Sequence, residues 1–361
     1  MIFVWYLLFI YIFFTMVTII SISYYKINRK RKHRKHLKLT NKWKRYLDSL
    51  MADEHPKSFI INKKYYNKLY SIEELMAFYA ASLAYLNSDK VKVRDEFRKF
   101  IRTNKKYWVN LGFVYGRKRM IFRAYFAFIC GELCINNPEE YDTMTKLILD
   151  YVLAPFIYCR ENALKALYAF GNTDAVVEAF IRLSHNNITH NGKLVTDGLL
   201  QFKGNKIELA ETLYDHFDKF NVEYQVAFID FFRFSGEKLK YKLKKLLEQQ
   251  DADKEIICAL LRYYGKYPVL EYKDIILSYL TTPNYEDWEC ISSAASALGK
   301  YPGEDTIIAL KSALKSKYWY VRLNAARSIA ELDVEKDKLM DILDGEDLYA
   351  KEQLMYQLTY K

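Results

Sequence analysis

The sequence predicts an all-α protein, an α-solenoid of stacked helical hairpins preceded by a single transmembrane helix. The first 25 residues carry no charged side chain, and the twenty residues that follow are strongly basic. Through the rest of the chain, apolar residues recur at helical spacing. These helices end near a glycine at intervals of about 30 to 40 residues, and a unit of that length buries its apolar face by stacking on copies of itself.

The composition favours helices over strands. At 361 residues the chain is long enough for one elongated domain or two ordinary ones, and 51% of its residues are hydrophobic. Its 12 Gly and 6 Pro residues are few for this length. Such a low content argues against a many-stranded β architecture with frequent tight turns.

Residues 1–25 are predicted to form a transmembrane anchor. As a helix, this run is about 36 Å long, enough to cross a hydrocarbon core of about 30 Å. Trp5 and Tyr6 lie near one end and Tyr24 and Tyr25 near the other, where membrane–water interfaces favour aromatic side chains. A cleaved signal peptide would carry its positive charge before the apolar run, so it fits this order less well. A buried helix of a soluble protein is the third alternative.

Residues 26–66 are predicted to form a basic juxtamembrane segment and a hinge. Residues 26–45 carry 11 Lys or Arg and no Asp or Glu, which accounts for the whole net charge of +11. Bases on one flank of a membrane helix keep that flank in the cytoplasm, so the N-terminus should lie outside and the body inside. Six bases are the predicted contacts with anionic lipid headgroups: Arg29, Lys30, Arg31, Lys32, Arg34 and Lys35. Because the remaining charge is balanced, we do not expect nucleic acid as a partner.

The hinge is expected at residues 51–66, between the anchor and the body. An apolar stripe that includes Trp43 and Leu47 precedes it, and Pro56 with its polar neighbours then interrupts the helical pattern. The solenoid body is predicted to occupy residues 67–361.

Two local features are predicted early in the body. Ser71 and Glu74 have the spacing of a capping box at the start of a helix. Residues 103–119, which contain Gly112 and Gly116, are expected to interrupt the helices.

The repeat is clearest from Trp288 to Leu332, which is predicted to form three helices. Glycines recur near the ends of the apolar helices: Gly131, Gly171, Gly204, Gly236, Gly265 and Gly299. Glycine adopts the left-handed conformation of a helix end at little cost, which would explain the recurrence. A second helix is predicted in each later interval, over residues 174–183, 207–217, 239–247, 275–280 and 306–314.

The segment Val321–Ile329 reads Val-Arg-Leu-Asn-Ala-Ala-Arg-Ser-Ile and resembles the V-R-x-x-A-A-x-A-L helix of short bacterial HEAT-like repeats. Residues 291–299 resemble it without the arginine, and the match weakens back to about residue 120. HEAT repeats often have Asp-Pro before the Val-Arg, whereas this chain has Lys317-Tyr318-Trp319, so the family's Asp–Arg ladder is not expected. The resemblance implies an α-solenoid that binds other macromolecules, and it brings no catalytic residues with it.

No catalytic residue, cofactor or metal site is predicted. The sequence has no glycine-rich phosphate loop, no HExxH and no GxSxG motif. Five cysteines in apolar patterns without CxxC spacing are expected to be small buried residues, without disulfides: Cys130, Cys134, Cys159, Cys258 and Cys290. Five aromatic residues are the candidate protein interface, although such residues fill cores equally well: Tyr263, Tyr264, Tyr267, Trp319 and Tyr320.

These patterns predict a membrane-anchored cytoplasmic scaffold or adaptor that binds a partner protein through its solenoid. Two other classes of function stay open. One is a HEAT-like enzyme that acts on nucleic acid or on a modified protein. The other is a sensor of anionic lipids that works through residues 26–45.

Overall fold

The computed structural model describes residues 2–52, 59–249, 252–282 and 287–359. Within these ranges the chain is all-α and has no strand. It forms two compact units, Met1–Ala166 (unit 1) and Leu167–Lys361 (unit 2), so the boundary falls within the segment 67–361 that the sequence analysis treats as one body.

The helices of unit 1 are α1 (Ile2–Met51), α2 (Lys63–Tyr66), α3 (Ile72–Leu86), α4 (Val91–Thr103), α5 (Lys105–Gly116), α6 (Met120–Glu132) and α7 (Thr143–Val152). The boundary lies in α8 (Ile157–Phe170). The helices of unit 2 that follow are α9 (Thr173–His185), α10 (Gly192–Leu200), α11 (Lys206–Asp215), α12 (Val222–Ser235), α13 (Lys244–Leu247), α14 (Lys254–Lys266), α15 (Lys273–Thr281), α16 (Trp288–Ala297), α17 (Glu304–Leu314), α18 (Trp319–Glu331), α19 (Met340–Leu343) and α20 (Leu348–Thr359).

Unit 1 is organised around the long helix α1. The apolar N-terminal part of α1 is exposed, whereas its C-terminal turns pack against α3. Trp43 and Leu47 are buried, as the apolar stripe in the sequence predicts. Further along the chain, α5 packs against both α6 and α7. One helix therefore carries both an exposed apolar stretch and part of the core of the unit.

The predicted interruption over residues 103–119 is wrong, because helix α5 occupies most of it. Gly112 is buried in this helix, and an added Cβ would lie 2.8 Å from both terminal methyl carbons of Leu147. The Gly112 carbonyl accepts a hydrogen bond from the hydroxyl of Tyr151. The close packing of α5 on α7 thus outweighs the low helix propensity of glycine.

Unit 2 contains a row of helices in which each packs on the next but one along the chain. The row runs through α10, α12, α14, α16, α18 and α20. Helices α11, α15 and α17 come between these in sequence, and each packs against the row member that follows it. This arrangement is compatible with the predicted repeat of helical hairpins. The three helices predicted between Trp288 and Leu332 are confirmed as α16, α17 and α18.

Hydrogen bonds join neighbours in this row at a nearly constant sequence separation. Asn324 Nδ2 donates to the carbonyl of Ser292 over 3.0 Å, and the two residues are 32 positions apart. Ser328 Oγ donates to the carbonyl of Ala295 over 2.6 Å, 33 positions away. The separation matches one predicted repeat, so equivalent helices are joined to each other along the row.

In both copies of the tetrapeptide Gly-Lys-Tyr-Pro, the tyrosine joins one helix of the row to the preceding helix of the row. Tyr267 Oη donates to the carbonyl of Arg233 over 3.1 Å, and Tyr301 Oη donates to the carbonyl of Tyr264 over 3.2 Å. These carbonyls lie in the last turns of α12 and α14, where the helix itself offers no partner. The tyrosine hydroxyls therefore complete the hydrogen bonding of two helix ends.

The recurrent glycines serve two different purposes. Gly171 has a φ of 77°, in the left-handed region expected at a helix end. At Gly131 and Gly265 the reason is space, because an added Cβ would lie 3.1 Å from Ala166 Cα and 3.2 Å from Ala297 Cα. The prediction that all of them mark left-handed helix ends is therefore wrong, and close contact with the next helix explains several.

The helix predicted over residues 239–247 is confirmed only for α13, its last four residues. Residues before it form turns, and tyrosine hydroxyls occupy their backbone acceptors. Tyr264 Oη donates to the carbonyl of Lys240 over 2.8 Å, and Tyr214 Oη donates to that of Lys242 over 2.7 Å. Side-chain donors thus replace the helical N–H groups that the sequence pattern leads us to expect.

Candidate functional site

The N-terminal part of α1 presents a large surface that is uncharged and mostly apolar. In the described part of the chain this is the one helix that is long and apolar enough to cross a membrane. No residue of its apolar 18-residue stretch is buried against the rest of the protein. Large side chains including Trp5, Phe9, Phe14 and Ile20 are exposed. A continuous apolar surface of this size marks a site that contacts a membrane or another protein.

The six predicted headgroup contacts lie on the exposed stretch of α1 that follows. All of them, from Arg29 to Lys35, are exposed to solvent. Because they are nearly consecutive, they surround the helix and do not form a single stripe. Lys35 also forms an ion pair with Glu73 at the start of α3. The basic segment therefore borders both the apolar stretch and the packed part of unit 1.

Two residues of α1 attach its C-terminal turns to α3. Trp43 Nε1 donates a hydrogen bond of 2.7 Å to Glu74 Oε2, and the Trp43 ring meets the Phe78 ring edge-on with centroids 5.2 Å apart. Five residues further along α1, Asp48 accepts a hydrogen bond from the hydroxyl of Tyr85. The capping box predicted for Ser71 and Glu74 is therefore wrong, since Glu74 binds the indole and the Ser71 side chain makes no capping hydrogen bond.

The predicted hinge at 51–66 includes residues 53–58, which lie outside the described residues. On either side of them the chain is packed together. The rings of Tyr46 and Tyr65 stack with centroids 3.6 Å apart and an interplanar angle of 8°. The Tyr46 hydroxyl also accepts a hydrogen bond of 2.8 Å from the backbone N–H of Asn62. The ends of the connection are thus held against each other.

Three of the five candidate interface aromatics lie in α14 or just after it. Tyr263 and Tyr264 are completely buried, and burial raises the pKa of both hydroxyls. The Tyr263 hydroxyl donates to the carbonyl of Gly236 over 3.3 Å. Tyr267 is half-buried and takes part in the contact with Arg233 described above. Tyr263 and Tyr264 therefore belong to the core and offer no surface to a partner.

Trp319 and Tyr320 are exposed, with 52% and 56% of their surface accessible. Together with Trp288 and Tyr318 they form what we call the aromatic cluster. The Trp288 ring stacks on the rings of Tyr318 and Tyr320, each with a centroid distance of 5.8 Å, and Trp319 meets Tyr320 edge-on at 4.9 Å. The sequence pattern does not single out Trp288 as a site residue, although its separation of about one predicted repeat from Tyr318 and Tyr320 is a usable signal.

Two cysteines approach each other across neighbouring helices of the row. Cys258 in α14 and Cys290 in α16 are buried, and their Sγ atoms lie 2.7 Å apart. The hydrogen bond from Cys290 and the charge of Arg262 hold the pKa of Cys258 below its ordinary value despite its burial. The contact with Cys258 and burial raise the pKa of Cys290. The sequence predicts each cysteine as an isolated apolar residue, and the two come together because α14 packs on α16.

Cys290 also lines a cavity of about 700 Å³ in unit 2. The wall contains Lys254, Asp274, Tyr279 and Asp287. Lys254 forms an ion pair of 3.0 Å with Glu289 on α16. Among the described residues, no group of three or more His, Cys, Asp or Glu side chains is arranged to hold a metal ion. The cavity thus combines a thiol with charged side chains but has no metal-binding set.

No protein-family model matches the chain, and no curated protein matches it. The resemblance of residues 285–332 to HEAT repeats therefore remains a prediction from the sequence.

Proposed function

We propose that the protein is a single-pass membrane protein whose body is a HEAT-like solenoid that holds a partner protein at the cytoplasmic face. The proposal rests on one observation, which is that the two halves of α1 have different surroundings. Its N-terminal half is apolar and exposed, and its C-terminal half contributes Trp43 and Leu47 to the core of unit 1. A membrane-inserted helix of this kind holds the folded body at the membrane without a separate linker.

The distribution of charge supports the orientation. The bases of residues 26–45 all follow the apolar run, and no base precedes it. This asymmetry supports a topology with the N-terminus outside and the body in the cytoplasm. The exposed bases Arg29 to Arg34 follow the apolar run within a few turns, so in this topology their long side chains would reach back to anionic headgroups, each at about 1 kcal/mol.

The aromatic cluster supports the binding of a partner. Trp and Tyr supply much of the binding energy of protein interfaces, because they bury a large area with few rotatable bonds. Trp319 and Tyr320 keep more than half of their surface exposed, although the cluster's rings contact one another. Residues in such an arrangement are already ordered before a partner binds, which lowers the entropic cost of binding.

Two measurements test the membrane part of the proposal. The full-length protein should stay in the membrane pellet after extraction with alkaline carbonate. Replacement of Ile12 and Thr15 by lysine should release it, since each central charge costs about 2.5–3.5 kcal/mol on insertion scales. In sealed spheroplasts, an external protease should remove a tag at residue 1 and spare a tag at residue 361. A wild-type protein in the soluble fraction, or a protected N-terminal tag, contradicts the proposal.

Site-specific photo-crosslinking in intact membranes tests the partner. A photoreactive residue at position 319 should give one discrete protein adduct. The same residue at Ile308, which is also exposed but lies on α17, is the matched control and should not give it. Competition for the adduct should fall when the competing full-length protein carries Trp319→Ala and Tyr320→Ala. Adducts of equal yield and identity from both positions would exclude the aromatic cluster as the interface.

A further inference from the structure

An open cleft with a volume of about 630 Å³ lies beside the C-terminal third of α1. Lys38, Lys42 and Arg45 line one side of it, at positions i, i+4 and i+7 of the helix. This spacing places the three cations on one face, next to the face that buries Trp43. Asn41 and Ser49 add polar side chains to the same wall. The cleft is therefore basic and lined by hydrogen-bonding groups.

Residues of α2 and the turn after it add to this basic site. Tyr65 lines the cleft, and the ammonium group of Lys68 lies 4.4 Å from the centre of its ring. Side-chain contact with Lys42 and then burial lower the pKa of Lys68. The side chains of Lys42 and Lys68 are therefore close enough for their positive charges to repel each other. An anion placed between them would remove this repulsion.

The nearby carboxylates are engaged with other groups. Glu73 pairs with Lys35, Glu74 accepts the indole hydrogen bond of Trp43, and Asp48 accepts that of Tyr85. Glu74 is near enough to Lys68 to offset part of its repulsion from Lys42. None of the described residues that line the cleft is an acid. The cleft thus has an excess of positive charge.

We propose that this cleft binds a phosphate group carrying at least two negative charges, such as a phosphate monoester or a pyrophosphate. Lys38, Lys42 and Lys68 supply mobile ammonium donors, and Arg45 supplies a planar guanidinium that matches two phosphate oxygens. Asn41 supplies a neutral amide donor from the same wall, whereas the Ser49 hydroxyl already donates to the carbonyl of Tyr46 over 2.7 Å. The proposal adds a ligand site to the protein and does not depend on the partner proposed above.

The position of the cleft bears on where the phosphate comes from. Lys38 lies thirteen residues beyond Tyr25, the end of the apolar run, which is about 20 Å along a straight helix. The headgroup layer extends only about 5–8 Å beyond the hydrocarbon core. With α1 upright in the bilayer, a soluble phosphorylated molecule reaches the cleft and a headgroup does not. A headgroup reaches it when α1 is strongly tilted.

Calorimetry on the full-length protein in phosphatidylcholine nanodiscs tests the proposal, with inorganic pyrophosphate as the probe. We expect saturable binding that weakens at least about tenfold in K42Q/K68Q, because two charge-assisted hydrogen bonds are lost. The control K44Q/K63Q removes the same charge from α1 and α2 at exposed residues that do not line the cleft. It should stay within about twofold of the wild type, as expected for distant surface charges. If K42Q/K68Q fails to fold, the variant K38Q/R45Q, which changes only exposed side chains, is measured in its place.

A second arm separates the two sources of phosphate. Acylation of individual lysines is measured by mass spectrometry in nanodiscs that contain phosphatidic acid. Protection of Lys42 and Lys68 by pyrophosphate in phosphatidylcholine discs supports a soluble ligand, and protection by phosphatidic acid alone supports a headgroup. Equal weakening of pyrophosphate binding in K42Q/K68Q and K44Q/K63Q overturns the proposal, because diffuse charge then explains it. The absence of both pyrophosphate binding and lysine protection also overturns the proposal.

Discussion

The indole of Trp43 donates a hydrogen bond of 2.7 Å to the carboxylate of Glu74, and the Trp43 side chain is almost completely buried. This contact joins α1 to α3, 31 residues further along the chain. A buried aromatic ring contributes through the apolar area it removes from water, and its N–H group needs a partner once water is excluded. Trp43 has both a packed ring and a hydrogen-bond partner in this position.

Trp43→Ala should destabilise unit 1 by about 3–5 kcal/mol, the usual cost of removing a large aromatic side chain from a core. Trp43→Phe keeps a ring and loses the hydrogen bond, so its cost should be smaller. The control is Leu37→Ala on the same helix, where 46% of the side chain is exposed. Denaturant unfolding followed by circular dichroism in detergent measures each variant. Equal stability of Trp43→Ala and Leu37→Ala would show that α1 does not contribute to the core.

Gly265→Ala should destabilise unit 2, because the new methyl group would lie 3.2 Å from the backbone of Ala297 on the neighbouring helix. Overpacking of this kind costs about 1–3 kcal/mol, and the better helix propensity of alanine offsets up to about 1 kcal/mol of it. Gly192→Ala is the matched control, since its nearest neighbour would be 3.8 Å away. It should be neutral or stabilising. Equal melting temperatures for the two variants would argue against close packing at Gly265.

Protonation of Asp142 should make unit 1 less stable in acid. Burial alone would raise the pKa of its carboxyl, but Lys105 and the N–H groups at the start of α7 hold the pKa below its ordinary value. A carboxyl with a lowered pKa in the folded state stabilises the fold above its unfolded value, and that contribution is lost as the pH falls below about 4. Melting temperatures between pH 3 and pH 7 measure the effect.

Asp142→Asn separates the charge from the helix cap. Asp142 caps α7 by accepting the N–H groups of Met144 and Thr145 over 3.0 and 3.2 Å, and asparagine caps equally well. Asp142→Asn should therefore flatten the pH dependence at modest cost. Asp142→Ala should lose about 1 kcal/mol at neutral pH as well. An unchanged pH profile in Asp142→Asn would assign the acid sensitivity to other groups.

Cys258 and Cys290 should form a disulfide when the protein is treated with diamide. The lowered pKa of Cys258 favours the thiolate that begins the reaction, and Cys290 supplies the second thiol 2.7 Å away. Peptide mapping should show the linked pair with a loss of two hydrogens, and Cys290→Ser should abolish it. Cys130 and Cys159 are buried as well and act as internal controls. A linked pair that includes either of them, without the Cys258–Cys290 link, would contradict the geometry.

The sequence predicts the helices of unit 2 well, because their apolar periodicity reports the faces that pack. It predicts the structural roles of the glycines less well, since glycine can provide either a left-handed conformation or room for a close neighbour. Gly171 adopts a left-handed conformation, Gly265 gives room to a neighbouring backbone, and Gly112 lies inside a helix that its own propensity opposes. Only the position of the neighbouring helix distinguishes these cases, and a pattern along one chain does not contain it.

Only part of the candidate site can be predicted from the sequence, because some of its residues are neighbours only in the folded structure. The apolar run and the bases that follow it are contiguous in sequence, so composition identifies them. By contrast, Trp288 meets Tyr320, and Cys258 meets Cys290, only because neighbouring helices of the row pack against each other. The sequence pattern does not distinguish Tyr263 from Trp319, since both are large aromatic residues. Tyr263 is fully buried, whereas Trp319 is exposed. Burial within the row decides which of them a partner can reach.

The continuity of α1 gives the protein a mechanical property. The helix is about 75 Å long, and Trp43 and Leu47 pack its C-terminal part into unit 1. In the proposed topology, with the N-terminal part in a bilayer, a force applied to unit 1 would therefore tilt the spanning segment, and a change in bilayer thickness that altered this tilt would move unit 1 in return. Rotation about the helix axis would be transmitted in the same way, so unit 1 would not rotate independently of the membrane segment.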